Sequence, residues 1–252
     1  MVYSSYSGGD ILIQTGRWLP GADNNIMESF AVLTLTDTLM PFNSQLSVLL
    51  DNILKVADSD GTPVLIRFFL SDPANQTTRL LERITFDCPV SIIGQTPLNG
   101  TKIAAMVWCR KNAHSFRIGD KMHKVSENGI DEYWFTSGIS GADGSFDQTV
   151  SLLDEFSFEL ERQGLSLEAN CVRTWLFVQN IDVNYKGVVN GRNEVFDRHR
   201  LTPDNHFIAS TGIEGRTANH INKVMLDAVA VSGPGVLISR SEERFSRNAE
   251  TD

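Results

Sequence analysis

With 252 residues, 41% of them hydrophobic and 21% charged, the chain can bury a substantial core and is too evenly composed for a disordered or fibrous protein. Its formal charge of −9 excludes a general nucleic-acid surface, which needs clustered Lys and Arg against the phosphates. The longest apolar runs, such as Pro63 to Leu70, are strand-length and interrupted by Arg67, far short of the ~20 residues of a membrane helix. Neither nucleic acid nor membrane is therefore an expected partner.

The first residues, Met1-Val2-Tyr3-Ser4-Ser5, lack the basic and apolar regions of a secretory signal. Cys88, Cys109 and Cys171 lie far apart inside apolar stretches, the pattern of reduced core thiols, and the expected location is cytoplasmic. Ile11–Gly16 reads as a strand running into a glycine turn. A helical segment containing Leu49-Leu50-Asp51 follows, then a strand at Val64–Leu70, a short strand breaking at glycine (Val90–Gly94) and a strand opening on lysine (Lys102–Val107). From Arg110 to Asp131 the chain turns polar, with Gly119, Asp120 and Gly129, and reads as a connection.

The same grammar then returns. Tyr133–Gly138 is a strand into a glycine turn, Leu152-Leu153-Asp154 sits in a helix, Val172–Val178 is a strand, Phe207–Gly212 breaks at glycine, and Lys223–Ala228 opens on lysine. Val150, Leu153, Phe156 and Leu160 recur at helical steps, with Gly164 as a C-cap. A second helix from about Val183 to His199 puts Tyr185, Val188, Val189, Arg192 and Phe196 on one face. The expected organisation is an N-terminal half at 1–112, a connection at 113–132, a C-terminal half at 133–235 and a polar tail at 236–252. Strand, helix, strand, helix, strand, strand in each half makes an α/β unit with helices on one sheet face.

Several stretches of the second half carry a family resemblance. Phe135-Thr136-Ser137-Gly138-Ile139, Arg173–Asp182 and Lys223–Ala230 resemble the opening, central and closing strands of the Rid (YjgF/RidA, "endoribonuclease L-PSP") superfamily, with Asp227 where these proteins commonly carry Glu. Arg173-Thr174-Trp175, Asp182-Val183-Asn184-Tyr185 and Ile208–Gly215, with Ser91–Gly100 in the first half, resemble more narrowly the chorismatase (FkbO-like) group, which is built from Rid-like halves. The resemblance implies two tandem Rid-like (chorismate-mutase-like) α+β units, each a mixed sheet with helices on one face. It also implies a homotrimer with pockets between subunits, or a pseudo-symmetric arrangement of the two halves, with a small anionic metabolite as ligand.

Two departures accompany it. RidA-type imine deaminases grip the substrate carboxylate with an Arg before the closing hairpin, where this chain has His206-Phe207-Ile208. Chorismatases carry a catalytic Glu beyond the closing strand, where this chain turns polar after Gly235 and Glu242 and Glu243 match no motif. No catalytic residue is thereby assigned.

The candidate substrate-binding residues are Arg192, Arg173, Tyr185, Ala209, Ser210, Thr211 and Gly212. Arg192, on the apolar helix face, reads as a carboxylate clamp, as a snorkelling arginine, or as one paired with a nearby acid such as Asp182. Arg173 reads as a second carboxylate ligand or as the partner of Glu168; its counterpart in the first half, Arg67, points to an architectural role because the feature recurs. Ala209-Ser210-Thr211-Gly212 offers N–H groups and hydroxyls to an anion, or is simply a strand end. Tyr185 is a pocket donor or a core tyrosine, and Asp227 an acid–base group or a partner of Lys223.

His114, His123, His199, His206 and His220 show no metal spacing, and no dinucleotide, P-loop or nucleophile-elbow pattern appears, so neither metal nor cofactor is expected. Three functions remain in view. They are a chorismatase-like hydrolase or lyase, a non-catalytic metabolite-binding protein, and a Rid-type enamine/imine deaminase.

Overall fold

The computed structural model describes residues 1–19, 27–201 and 208–238. The first half runs β1 (Val2–Gly8), β2 (Ile11–Trp18), β3 (Glu28–Leu35), α1 (Phe42–Asp60), β4 (Thr62–Leu70), α2 (Pro73–Leu81), β5 (Val90–Gly94) and β6 (Ile103–Arg110). The second runs β7 (His114–Arg117), β8 (Met122–Glu127), β9 (Ile130–Ser137), α3 (Gly144–Arg162), α4 (Leu167–Asn170), β10 (Cys171–Val178), α5 (Ile181–Arg198), β11 (Ala209–Glu214) and β12 (Val224–Ser232). The two six-stranded sheets have the orders β1-β2-β3-β6-β4-β5 and β7-β8-β9-β12-β10-β11, so adding six to each label of the first gives the second. In each sheet the last pair, β4 with β5 and β10 with β11, is parallel and the others are antiparallel. Two tandem mixed-sheet α+β units are thus present.

The duplication reaches individual side chains. Wholly buried Gln45 of α1 accepts from the Lys102 amide at 2.8 Å and donates to the Asp37 carbonyl at 2.9 Å. Wholly buried Gln148 of α3 accepts from the Lys223 amide at 2.6 Å and donates to the Ala142 and Ile221 carbonyls. Each central strand therefore enters its sheet on a lysine whose backbone is held by a helix glutamine, which gives the repeated lysine its context. Both β4 and β10 also carry a register shift near the start of their pairing with the closing strand, between Pro63 and Leu65 and between Cys171 and Arg173.

Two expectations need correction. The polar segment 113–132 is not a bare connection: it holds β7, β8 and the first residues of β9, and its apolar Met122 and Val125 are buried. The match of Ile11–Gly16 to Tyr133–Gly138 also slips by one strand, since the topological counterpart of β9 is β3 and that of β2 is β8. Each half is strand, strand, strand, helix, strand, helix, strand, strand, with α4 added in the second. Most of the tail, 239–252, lies outside the described residues, as do His206, Phe207, Glu242 and Glu243.

Helices cover one face of each sheet. Leu46, Leu49 and Ile53 of α1 pack on Leu33, Ile66, Phe68 and Val107. Leu153, Phe156 and Leu160 of α3 pack on Phe135, Leu226 and Ala228, together with Val188 and Val195 of α5. Gly191 of α5 sits where a Cβ would come 2.6 Å from the Phe146 carbonyl oxygen, so the two helices approach closely there. Gly164, at φ +74°, closes α3 as a left-handed cap whose following amide, Leu165, bonds to the Leu160 carbonyl. No helix among the described residues is long and apolar enough to cross a membrane.

The opposite faces of the two sheets meet each other. Val64 and Leu65 pack with Val125, Trp134 and Val229, and Ile93 with Phe177 and Met225. An aromatic run crosses the junction, from Phe30 to Trp108 at 4.8 Å, Trp108 to Trp134 at 5.3 Å edge-to-face, and Trp134 to Trp175 at 6.1 Å stacked. Arg110 lies over Trp108 and reaches Glu132 of the other half at 2.7 Å.

His123 is buried at this junction, opposite Trp134 on the neighbouring strand, with its Nε2 unpartnered. Burial, helped by Arg117 and opposed by Asp87, pushes its pKa down from 6.5 to about 4. As pH falls the unfolded chain binds the proton first, so stability is intact above about 6.5 and lost down to about 4. Between pH 7 and pH 5 the wild type should lose about 2 kcal/mol more than His123→Leu in denaturant melts; parallel losses would remove His123 as the cause.

Candidate functional site

The charges that interrupt two apolar strands meet across the junction. Arg67 of β4 donates to Asp227 Oδ2 of β12 through Nη2 at 2.6 Å and Nε at 3.2 Å. Asp227 is wholly buried and Arg67 nearly so, with the guanidinium 5.2 Å from the Trp175 ring and 5.1 Å from that of Phe177. Asp227 thus pairs with Arg67 and not with Lys223, whose ammonium donates to the His220 carbonyl. Register corrects the equivalence of Arg67 with Arg173. Arg67 faces Met106 and Trp175 faces Asp227, so Arg67 matches Trp175, Met106 matches Asp227, and Arg173 matches Leu65.

Asp227 closes the floor of a cleft of about 380 Å³ between the halves. The first half supplies Thr77 of α2 and Val90, Ser91 and Ile92 of β5; the second supplies Thr136 and Ser137 of β9, Gly138, Ile139, the 217–219 segment, Asn222, and Met225 and Asp227 of β12. The wall from Gly215 to Asn222 leans on the first half. Gly94 and Arg216 form an antiparallel bridge, with the Gly94 amide 2.6 Å from the Arg216 carbonyl, and Arg216 Nη2 donates to the Ser71 carbonyl. Gly94 is required by that approach, since a Cβ there would lie 2.6 Å from Pro73 Cγ and 2.9 Å from the Arg216 carbonyl oxygen. Asn222 Nδ2 donates to the Gly138 carbonyl and ties the wall to the end of β9.

Three residues of the lining carry a buried polar atom without a partner: Thr77 Oγ1, Ser91 Oγ and Asp227 Oδ1. Buried polar atoms are ordinarily satisfied, so three such residues in one lining make this cleft the candidate site. Burial raises the Asp227 pKa, while Arg67 and then the nearby Ser91 hydroxyl oppose the rise; Ser91 is close enough for that influence although neither it nor Oδ1 completes a hydrogen bond. The described lining holds no Lys, Arg or His.

The seven residues singled out in the sequence lie elsewhere. Arg192 sits part-exposed on α5, bonded to Asn193 Oδ1 at 2.9 Å and 5.7 Å from the Phe196 ring; the buried stripe of that helix is Val188, Gly191, Val195 and Phe196. Arg173 donates to Thr211 Oγ1 at 2.9 Å and lies over Trp175, with Nε buried and unpartnered, while Glu168 meets Arg200. Thr174 donates to Ser210 Oγ. Tyr185, 43% exposed, lays its ring over Gly212, and Ala209 is exposed. The structure therefore brings Arg173 to Thr211 and Tyr185 to Gly212, within or beside edge strand β11, which continues through Gly212 to Glu214. None of the seven lines the cleft.

The three cysteines are free and buried, and burial pushes Cys109 and Cys171 up to about 12 and Cys88 upward as well, so none is a thiolate nucleophile near neutrality. No cluster of metal ligands occurs among the described residues.

No protein-family model matches the chain, and no curated protein matches it. Among solved structures, a chorismatase is similar over 69% of this chain and 50% of its own, at 19% identity and a TM-score of 0.47. The YjgF gene product of E. coli is similar over 46% of this chain and 90% of its own, at 22% identity and a TM-score of 0.36. E. coli TdcF with bound serine is similar over 46% and 91%, at 17% identity and a TM-score of 0.36. The chain thus spans half the length of the chorismatase it matches.

Removing one partner of the buried pair strands a charge. Asp227→Ala should cost about 3–5 kcal/mol in denaturant unfolding, and Arg67→Met with Asp227→Leu should recover most of that. A cost below about 1 kcal/mol for the single change would show that the pair does not hold the halves.

Proposed function

We propose that this protein binds a small molecule in the cleft between its two halves, without the carboxylate clamp expected of Arg192 and Arg173. The observation that carries this reading is that three residues lining one cleft of ligand size each hold an unpartnered buried polar atom. A fragment screen followed by amide NMR should return mutually competitive ligands that move Ser137, Gly138, Ile139 and Asn222. Hits clustered around Arg192 and Arg173 instead would overturn the assignment.

A second reading, chorismatase-like or other Rid-type hydrolysis, is favoured by Asp227 itself. A buried carboxyl with a raised pKa and one free oxygen can hold or release a proton at a bound substrate, as general-acid protonation of an enol ether or hydrolysis of an imine requires. Chorismate separates the two readings. Under the binding reading no pyruvate appears even at stoichiometric protein. Pyruvate released by the wild type and by Arg192→Ala, but not by Asp227→Asn, would establish hydrolysis in its place.

We infer further that the cleft-bearing protein assembles with copies of itself as a homotrimer. Tyr3, Trp18 and Val32 continue the inner face of the first sheet beyond the part covered by the second half, and are 78%, 46% and 43% exposed. Sedimentation should give a trimer, which Trp18→Glu with Val32→Glu weakens; a wild-type monomer at micromolar concentration would end this reading.

A further inference from the structure

We propose that the head group bound at the floor of the cleft is a nitrogen hydrogen-bond donor on a small apolar body, an amidinium, ammonium or amide, and not a carboxylate. The inference rests on the cleft being the binding site and adds the chemical class of its ligand.

The floor decides the class. Asp227 Oδ2 is taken twice by Arg67, whose guanidinium also lies against the Trp175 and Phe177 rings, so Arg67 is committed within the wall. Oδ1 remains, wholly buried and without a donor. An anionic head placed there meets a carboxylate oxygen with no free cation in the described lining to offset it, and like charges at contact in a poorly hydrated site repel strongly. A nitrogen donor instead satisfies Oδ1. Thr77 Oγ1 and Ser91 Oγ, which rotate to donate or accept, can adapt to its remaining atoms. Above the floor, Ile139 and Met225 offer apolar contact to the rest of the ligand. Supplying the missing donor is worth more than an added contact, because an unsatisfied buried acceptor carries its full desolvation cost until it is met.

Benzamidine, benzamide and benzoate share one ring and differ in the head, which is a cationic donor, a neutral donor and an anionic acceptor. Titrated against the wild-type protein with the amides of Ser137, Gly138, Ile139 and Asn222 as reporters, benzamidine should bind at least tenfold more tightly than benzoate, with benzamide between. Ser91→Ala should weaken benzamidine about two- to fivefold. Benzoate binding as tightly as benzamidine, at any pH where the protein is folded, overturns the ligand class and leaves the cleft standing as a site. Failure of all three probes to move these amides at 20 mM overturns the cleft reading and this inference with it.

Discussion

A charge taken out of water must take a partner with it, and each half of this chain buries one that only the other half can answer. Within its own sheet Arg67 is flanked by Met106 and Ser91, neither of them an acid. Asp227 has Trp175 beside it. The pair that forms across the junction therefore departs from the repeat and makes the two units non-interchangeable. Buried ion pairs contribute little net stability compared with apolar packing, because desolvation offsets the attraction, but they exclude alternatives strongly. Here the excluded alternatives are other ways of stacking two apolar sheet faces, which the aromatic run from Phe30 to Trp175 alone leaves open.

The cleft is a product of the same docking. Its floor is one member of the pair, its first-half wall is the strand beside β4, and its second-half wall leans on Gly94. A site assembled this way has its chemistry divided between two repeats, each of which has kept a different part. β5 gives a hydroxyl at Ser91 while β12 gives the carboxyl at Asp227. Because the cleft lies on the inner faces of the sheets, its polar lining is separate from both helix-covered cores.

How much of this was legible depended on whether the signal was local. The helices were, because an apolar stripe on a sheet leaves a three- and four-residue rhythm, and the lysine before each closing strand is a local mark, whereas its glutamine partner is distant in sequence. β1 escaped because Val2–Ser7 are exposed on both faces and show no alternation, and β7 and β8 because a hairpin at a sheet edge is mostly polar. Arg192 was placed on a buried face by counting from Tyr185 and Phe196, but Tyr185 is itself substantially exposed and the buried stripe is narrower. The cleft was hidden for a different reason. Its residues come from segments up to about 150 apart, and their only sequence trace is one opposite charge in each of two apolar strands, Arg67 and Asp227.

The order of the strands has a consequence for synthesis. In each sheet the strand made last, β6 or β12, lies in the interior, so neither sheet closes until its half is complete. The salt bridge spans 160 positions, and its second member follows only after nearly all of the second sheet has been made. A ribosome releasing this chain therefore exposes a finished first sheet, with an unanswered guanidinium and a tryptophan on its inner surface, throughout translation of the second. That long-range closure predisposes folding to be slow and the nascent half to depend on chaperone shielding, so the feature that fixes the final architecture is also what delays it.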